Sequence, residues 1–525
     1  MTTRVTPVVS SVIAGRAPSA EPETAEATLY RSVNPARLDE TVAEVALSQA
    51  RTFAEACSAA RAAQRRWADV PSPVRGRVVA AMGRLVEANK EKLAALVTRE
   101  IGKPYAEALG EVQEIVDTCD FFLGEGRRLY GQTVPSEMAD KQLFTFREPV
   151  GVVSVITAGN FPVAVPAWYI VPALLCGNTV VWKPAEYAAA TSAALFDLMT
   201  HAGVPQGVLN LVFADGEQTW HGLERSLEAG DLDKIGFTGS TAVGSRIGAL
   251  AGRYLQSPCL ELGGKNPLVV AEDADLDLAV RGALFSGFGT AGQRCTSLGT
   301  VLVQRTVYDE FLRRFSEAVE NCPIGDPTQD VLYGPLIDSR FAERFEGFLD
   351  WLEPHHTPRG STALGRITAS QPRRNFLGDA DAGLFYHPTI VQGVRPGDRV
   401  FQEETFGPLV GVMPYDHLDE AVELANAPGY GLSAAIYTSD AAAAFRFRRG
   451  VRAGMVSVNN STSGAEAHLP FGGNGRSGNG SRQSGMWVID QFTRWQALNW
   501  DYSGTLQRAQ MDVPTIAGDQ DFRLG

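Results

Sequence analysis

Residues 151–183 read GVVSVITAGNFPVAVPAWYIVPALLCGNTVVWK. Val152–Thr157 is an apolar run of strand length. A small-residue loop, Ala158-Gly159-Asn160, follows, and an apolar helix begins near Pro162. Gly177-Asn178 stops that helix, and Thr179–Lys183 is a second short apolar strand. The pattern continues with a helix over Thr191–Ala202, a strand over Val208–Val212, a helix over Thr219–Ala229 and a strand over Lys234–Phe237. Strand and helix alternating at this spacing predict an α/β fold with a doubly wound parallel sheet. Such a sheet binds ligands beyond the carboxyl ends of its strands.

Upstream, Ala, Leu and Val recur at helical spacing over Thr41–Arg66 and Val74–Arg99, which predicts two long helices. Gly102-Lys103-Pro104 is a break, and a further helix runs from Tyr105 to about Leu129. Gln142–Glu148 alternates like a strand at a solvent edge. Residues 1 to about 28 read as a partly flexible lead-in. A second α/β region spans Leu268 to about Asn459, with strands at Thr300–Gln304 and Leu409–Tyr415 and helices at Asp309–Glu320 and Leu418–Asn426. Residues 356–375 read as a surface loop, the glycine-dense 470–485 as loop, and the chain ends in a polar tail.

The 525 residues carry a net charge of −13, with 44% hydrophobic and 20% charged residues. That is enough chain for two to four domains and a large core. The acidic balance argues against a general nucleic-acid partner. Six cysteines without a CxxC pair and seven scattered histidines predict neither a disulfide framework nor a zinc site. No metal is expected. No apolar run reaches the roughly 18 residues of a membrane span, and the N-terminus makes a poor signal peptide. A soluble protein of a reducing cytoplasm is expected.

Five short motifs fall at strand ends or turns, and a cysteine stretch accompanies them. In Gly289-Thr290-Ala291-Gly292-Gln293-Arg294-Cys295-Thr296, small residues leave room around a sulfur, and Arg294 would favour the attacking thiolate. The competing reading of Cys295 is a small buried hydrophobe. Glu261, before Gly263-Gly264, reads as a general base or as a salt-bridged glutamate beside a turn. Asn160 reads as an oxyanion donor or as a helix N-cap ahead of Pro162. Lys183 and Glu186 bracket a ribose or are surface charge. Gly239 and Ser240 open a helix whose N-terminus suits a pyrophosphate, or simply cap it. Glu404 and Phe406, two apart in Glu403–Pro408, would face the same way in an extended segment.

Taken in this order, the motifs resemble the aldehyde dehydrogenase superfamily over residues 30 to 499. The resemblance rests on Asn160-Phe161-Pro162, KPAE (183–186), FTGSTAVG (237–244), ELGGKNP (261–267), GQRC (292–295), EETFGP (403–408) and PFGG (470–473). Within it, GEVQEIVDTCD (110–120), TAGQRCT (290–296) and TSGAE (462–466) look like the antiquitin-like, aminoadipate-semialdehyde branch and C-terminally tailed bacterial enzymes. The resemblance implies a Rossmann-like NAD-binding domain (1–130 and 150–260), a catalytic α/β domain (261–458), a small β oligomerisation flap (131–149 and 479–499) and a tail (500–525). It implies homodimers or homotetramers.

By the same resemblance Cys295 is the nucleophile, Asn160 and the Cys295 N–H stabilise the oxyanion, and Glu261 activates water against the thioester. Ile156, Thr157, Lys183, Glu186, Gly216, Gly239, Ser240, Leu262, Glu404 and Phe406 would hold the cofactor. A carboxylate at Glu186 repels a 2′-phosphate, so NAD is favoured over NADP. Phe161, Gly464 and Ala465 would line the substrate site. Arg294 would meet the carboxylate of an acidic semialdehyde, or else order the loop and tune the sulfur. Coenzyme-A-acylating relatives usually lack the glutamate, so Glu261 points to a free acid as product. A non-catalytic scaffold of this fold would be marked by loss of Cys295 or Glu261, and both are present. Two positions depart from the pattern: Gly475 stands where a lysine is common, and Arg494 where some members place a proton-accepting glutamate.

Overall fold

The computed structural model describes residues 6–18, 29–513 and 515–525. The opening stretch supplies the middle of a five-stranded parallel sheet. Its spatial order is Cys259–Glu261, Lys234–Thr238, Val152–Ile156, Thr179–Lys183, Leu209–Leu211. Both central strands are buried along their whole length, which is why they read as unbroken apolar runs. Val153 and Val155 pack into the core on one face, Val152 and Ile156 into the core on the other. Each such side chain contributes roughly 1.5–3 kcal/mol of burial. The strand order reverses beside Val152–Ile156, with Thr179–Lys183 on one side and Lys234–Thr238 on the other. In open α/β sheets such a reversal marks the ligand crevice, beyond the carboxyl ends of the strands.

The second sheet has seven strands in the order Thr357–Arg359, Thr389–Gln392, Leu409–Tyr415, Leu298–Gln304, Asn266–Val270, Ser433–Tyr437 and Met455–Val458. All pair in parallel except Thr357–Arg359, an antiparallel edge. It has its own core, around Val269, Val301, Phe311, Phe315 and Phe345. A third, antiparallel sheet stands apart: Thr133–Pro135, Lys141–Pro149 and Thr493–Asp501. No helix among the described residues is long and apolar enough to cross a membrane.

Several expectations need correction. Residues 6–18 of the lead-in are bound to the fold. Val12 and Leu211 exchange backbone hydrogen bonds, and Phe213 N donates to Ser11 Oγ at 2.9 Å. Residues 1–5 and 19–28 lie outside the described residues. The helix expected over Thr41–Arg66 starts only at Ala50, because Thr41–Ala46 is a strand between Leu29–Val33 and Val8–Val9. Its valines satisfy a two-residue period as well as a helical one. Val74–Arg99 is two helices, Ser72–Ala88 and Lys90–Ile101. Asn89 separates them, its side chain donating to the Leu85 carbonyl at 2.8 Å. The helix from Tyr105 stops at Glu125. Gln142–Glu148 belongs to the middle strand of its sheet, and the open edge is Thr493–Asp501, exposed from Arg494 onward.

Gly131 leads into that third sheet. A Cβ built there would lie 1.6 Å from the Thr145 carbonyl oxygen, so no side chain fits without parting the strands. Gly131→Ala is expected to destabilise the protein by roughly 1–3 kcal/mol. Thermal unfolding together with particle size in solution reads the effect, and an unchanged melting curve counts against this close approach.

Candidate active site

A cavity of about 260 Å³ lies between the two large sheets, and Cys295, Glu261, Phe161, Arg294, Gly464 and Ala465 all face it. The turn before the cysteine is unusual. Thr290 and Ala291 have φ of 51° and 55°, and Gly292 follows at 70°. Left-handed backbone at a non-glycine residue costs about 1–3 kcal/mol, so the surroundings must hold it. Glu107 accepts from both the N–H and the hydroxyl of Thr290. The Gln293 amide donates to Thr290 O and Pro335 O and accepts from Ile337 N. Asn160 Nδ2 donates to Gln293 O at 2.9 Å. Asn266 Nδ2 donates to the Cys295 carbonyl at 2.8 Å. Gly264 must be glycine here, since a Cβ would sit 2.4 Å from that same carbonyl.

Cys295 is partly exposed to the cavity. Burial pushes its thiol up to about 12, and the nearby Glu404 and Glu261 carboxylates add to this against the N–H groups of Thr296 and Cys295. The expectation that Arg294 favours the thiolate is not met. Its guanidinium turns away to pair with Glu107 and lies over the Phe285 ring at 4.6 Å. Glu261 ends the strand Cys259–Glu261 and is buried. Burial raises its carboxyl well above the usual range; Arg482 opposes the rise, as do hydrogen bonds from Gly473 N at 3.3 Å and Ser481 Oγ at 3.4 Å. Arg494 has no part in this, since it donates to the Val150 carbonyl from the third sheet. Gly475 sits at φ 61°, and a Cβ there would come within 2.6 Å of Gly429 O.

One wall of the cavity escaped the sequence reading. Glu107, Glu111 and Glu114 lie on one face of the Tyr105–Glu125 helix, at the i, i+4, i+7 spacing that could have signalled it. Glu111 pairs with buried Lys103 and accepts from Val163 N and Ala164 N. Glu114 has one carboxylate oxygen without a partner. Burial and the neighbouring Glu111 push its carboxyl up to about 8, so near neutral pH it carries a proton.

The crevice gathers the other expected positions. Ile156 and Thr157 end one strand, and Thr157 Oγ1 accepts from Trp182 Nε1 at 3.1 Å. Lys183 Nζ lies 3.7 Å from Glu186 Oε2, while Glu186 Oε1 accepts from Arg340 Nη1 at 2.8 Å. Burial would raise the Glu186 carboxyl, but Lys183 and Arg340 together hold it below the usual range. Gly216 starts a helix, and a Cβ there meets only open space. Gly239 and Ser240 precede another helix, whose Val243 N–H is capped by Ser240 Oγ. Leu262 packs beneath Gly244. Glu404 Oε1 accepts from Gly264 N at 3.1 Å. Phe406 is not extended: its φ is 50°, and its ring lies 5.7 Å from that of Phe341. Two helix N-termini, open space at Gly216 and an ion-paired carboxylate at strand ends fit a dinucleotide.

Away from the site, the histidines are less scattered than expected. The Nε2 atoms of His355 and His356 both approach Asp398 Oδ2, at 3.1 and 2.8 Å. His356 Nδ1 accepts from Glu353 N at 2.9 Å. That bond keeps the His356 proton on Nε2, facing Asp398 and occupying the lone pair a metal would need.

A cysteine and a buried glutamate in one cavity, beside strand ends that fit a dinucleotide, make a thiol-dependent oxidoreductase site. Residues 22–498 match the family model described as Aldehyde dehydrogenase family. The chain belongs to the aldehyde dehydrogenase family. It is 36% identical to the 2,5-dioxopentanoate dehydrogenase of Saccharolobus solfataricus, over 86% of this chain and 91% of that one. With the alpha-aminoadipic semialdehyde dehydrogenase of Bos taurus it shares 34%, over 90% and 86%. Among solved structures it resembles betaine aldehyde dehydrogenase from Staphylococcus aureus in complex with NAD+, at a TM-score of 0.86 and 28% identity, covering 95% of both chains. It is equally similar to an NADP-dependent enzyme of E. coli, at 0.86 and 31%, covering 94% and 98%.

The charges around the sulfur yield a test. Glu261→Gln removes one of the carboxylates that raise the thiol, so iodoacetamide should alkylate Cys295 faster in this variant than in the parent near pH 8. Mass spectrometry of the Cys295 peptide follows the rate. Slower alkylation would mean that Glu261 serves as the resting thiol's base.

Proposed function

We propose that this chain oxidises an acidic semialdehyde to the free dicarboxylic or substituted acid, with Cys295 as nucleophile. The observation that carries the reading is the shared cavity of Cys295 and a buried Glu261 whose oxygens accept only weak, long hydrogen bonds. Cys295 Sγ adds to the aldehyde carbon as the thiol proton passes to water in the cavity, which leaves the carbonyl oxygen as an oxyanion. The Asn160 amide, positioned on Gln293 O, keeps a second N–H for the developing oxyanion, a contact worth about 2.7–4 kcal/mol in other enzymes. A nicotinamide dinucleotide in the crevice would supply the hydride acceptor. Glu261 then takes a proton from the water that cleaves the acyl–sulfur bond. Its raised carboxyl makes it a stronger base than a solvated glutamate. In this reading the five-stranded sheet carries the cofactor, the seven-stranded sheet the catalytic loop, and the open strand edge Thr493–Asp501 joins a second copy.

The cofactor preference follows from Glu186, which is held ionised and so favours the ribose hydroxyls of NAD over a 2′-phosphate. The substrate class follows from the far wall. Arg294 lines the cavity while paired with Glu107, and protonated Glu114 offers a hydrogen-bond donor rather than a further negative charge. Relatives named for 2,5-dioxopentanoate, alpha-ketoglutaric semialdehyde and succinate semialdehyde support the same class.

Glu261→Ala should release about one reduced cofactor per subunit in a burst and then turn over about 10²–10⁴-fold more slowly. Acid should form in the parent without coenzyme A. A thioester product that requires coenzyme A would overturn the hydrolytic reading.

The wall can be tested separately. Arg294→Ala should raise KM for succinate semialdehyde more than for an uncharged aliphatic aldehyde of equal length. Because Glu114 ionises near pH 8, the parent's KM for the acidic substrate should climb above that pH while the uncharged one stays level. Equal effects on both aldehydes would remove the carboxylate-reading role.

A further inference from the structure

We infer that Arg340 lets the crevice accept a 2′-phosphorylated dinucleotide, so that cofactor choice is set by Arg340 and Glu186 jointly. The inference rests on reading Lys183 and Glu186 as the adenosine-ribose site. Arg340 comes from the Ser339–Leu349 helix, which packs with the seven-stranded sheet, and reaches across to the five-stranded one. Asp338 directs it. One Asp338 oxygen caps that helix, accepting from Arg340 N at 2.9 Å and Phe341 N at 3.2 Å. The other accepts from Arg340 Nε at 2.9 Å and Nη2 at 2.6 Å. The rings of Tyr30 and Tyr187 flank the guanidinium at 5.8 and 5.4 Å.

Only Nη1 is left to reach Glu186 Oε1, at 2.8 Å. The geometry thus separates a fixed half of the guanidinium, anchored on Asp338, from a free half that touches the ribose carboxylate. The Arg340 side chain is 53% exposed while that of Glu186 is 16% exposed, so the cation is the more accessible partner. Counting Lys183 as well, the group holds two cations and two carboxylates and is neutral, whereas Glu186 alone would repel a phosphate. A ribose 2′-hydroxyl donates to Glu186 and leaves the pair intact. A 2′-phosphate draws Nη1 off Glu186 while Nε and Nη2 stay on Asp338, and Lys183 remains as the counter-charge to Glu186. Guanidinium suits this exchange, because it keeps its charge and presents donors in a rigid fork.

The test is a binding measurement, without turnover. Reduced NADH and NADPH are titrated into the parent, Arg340→Ala, Arg340→Lys and Glu186→Gln, and affinity is read from energy transfer between protein tryptophan and nicotinamide. Arg340→Ala should weaken NADPH by about 10–100-fold, the range of a charge-assisted hydrogen bond, and NADH by no more than about threefold. Arg340→Lys should recover part of the NADPH loss. Equal losses for both dinucleotides, or no loss for either, would overturn the inference, as would a parent that binds NADH but not NADPH. Glu186→Gln separates it from the reading beneath it: if that variant leaves NADH affinity unchanged, the ribose assignment fails whatever Arg340 does.

Discussion

The cavity depends on three consecutive left-handed residues, Thr290, Ala291 and Gly292, kept in place ahead of Cys295. Two of them are not glycine, so the turn costs several kcal/mol on the usual scale of such strain. Side-chain hydrogen bonds from four separate regions offset it: Glu107 from a helix, Asn160 from a strand-end loop, Asn266 from the start of the neighbouring strand, and Gln293 from the turn itself. Each contact also does something for the site. Asn160 is oriented by it, Glu107 is drawn onto Arg294, and the sulfur is directed to the space between the sheets. Catalytic geometry and backbone strain are therefore held by the same bonds.

Burial in that space sets the chemistry. Burial pushes Cys295, Glu261, Glu404 and Glu114 all above their usual ranges, and the Glu404 and Glu261 carboxylates add to the rise at the thiol. A resting enzyme with a protonated thiol is protected from adventitious alkylation. The same environment strengthens Glu261 as a base once an acyl group is on the sulfur. Lys265 behaves in the mirror sense: burial pushes it down to about 7 while it donates to Thr405 Oγ1 at 3.0 Å.

The parallel sheet was legible because its strands are buried on both faces. Val152–Ile156, Leu409–Tyr415 and Leu418–Asn426 lie where the apolar runs and the helical period put them. Thr41–Ala46 was misread because alanine and valine suit either period over six residues, and pairing with a strand near the N-terminus decided the matter. The wall of Glu107, Glu111 and Glu114 shows in the sequence only as one helix face, since carboxylates at this spacing read equally as a solvated one. Only the packing of that helix against the 160–165 segment turns them inward. Likewise, no local pattern reveals that Arg294 is spent on Glu107, or that Arg340 crosses between sheets to Glu186.

The small antiparallel sheet has a consequence for how the chain is made. Lys141–Pro149 is completed along nine residues by Thr493–Asp501, whose first residue lies 346 positions after Arg147. At the roughly 5–20 residues per second of protein synthesis, that edge waits about 17–70 s for its partner. Throughout that time the ribosome holds out a bare, alternating strand, in reach of the same strand on a neighbouring nascent chain. Crowded polysomes and scarce chaperones are thus conditions under which this protein's yield would fall.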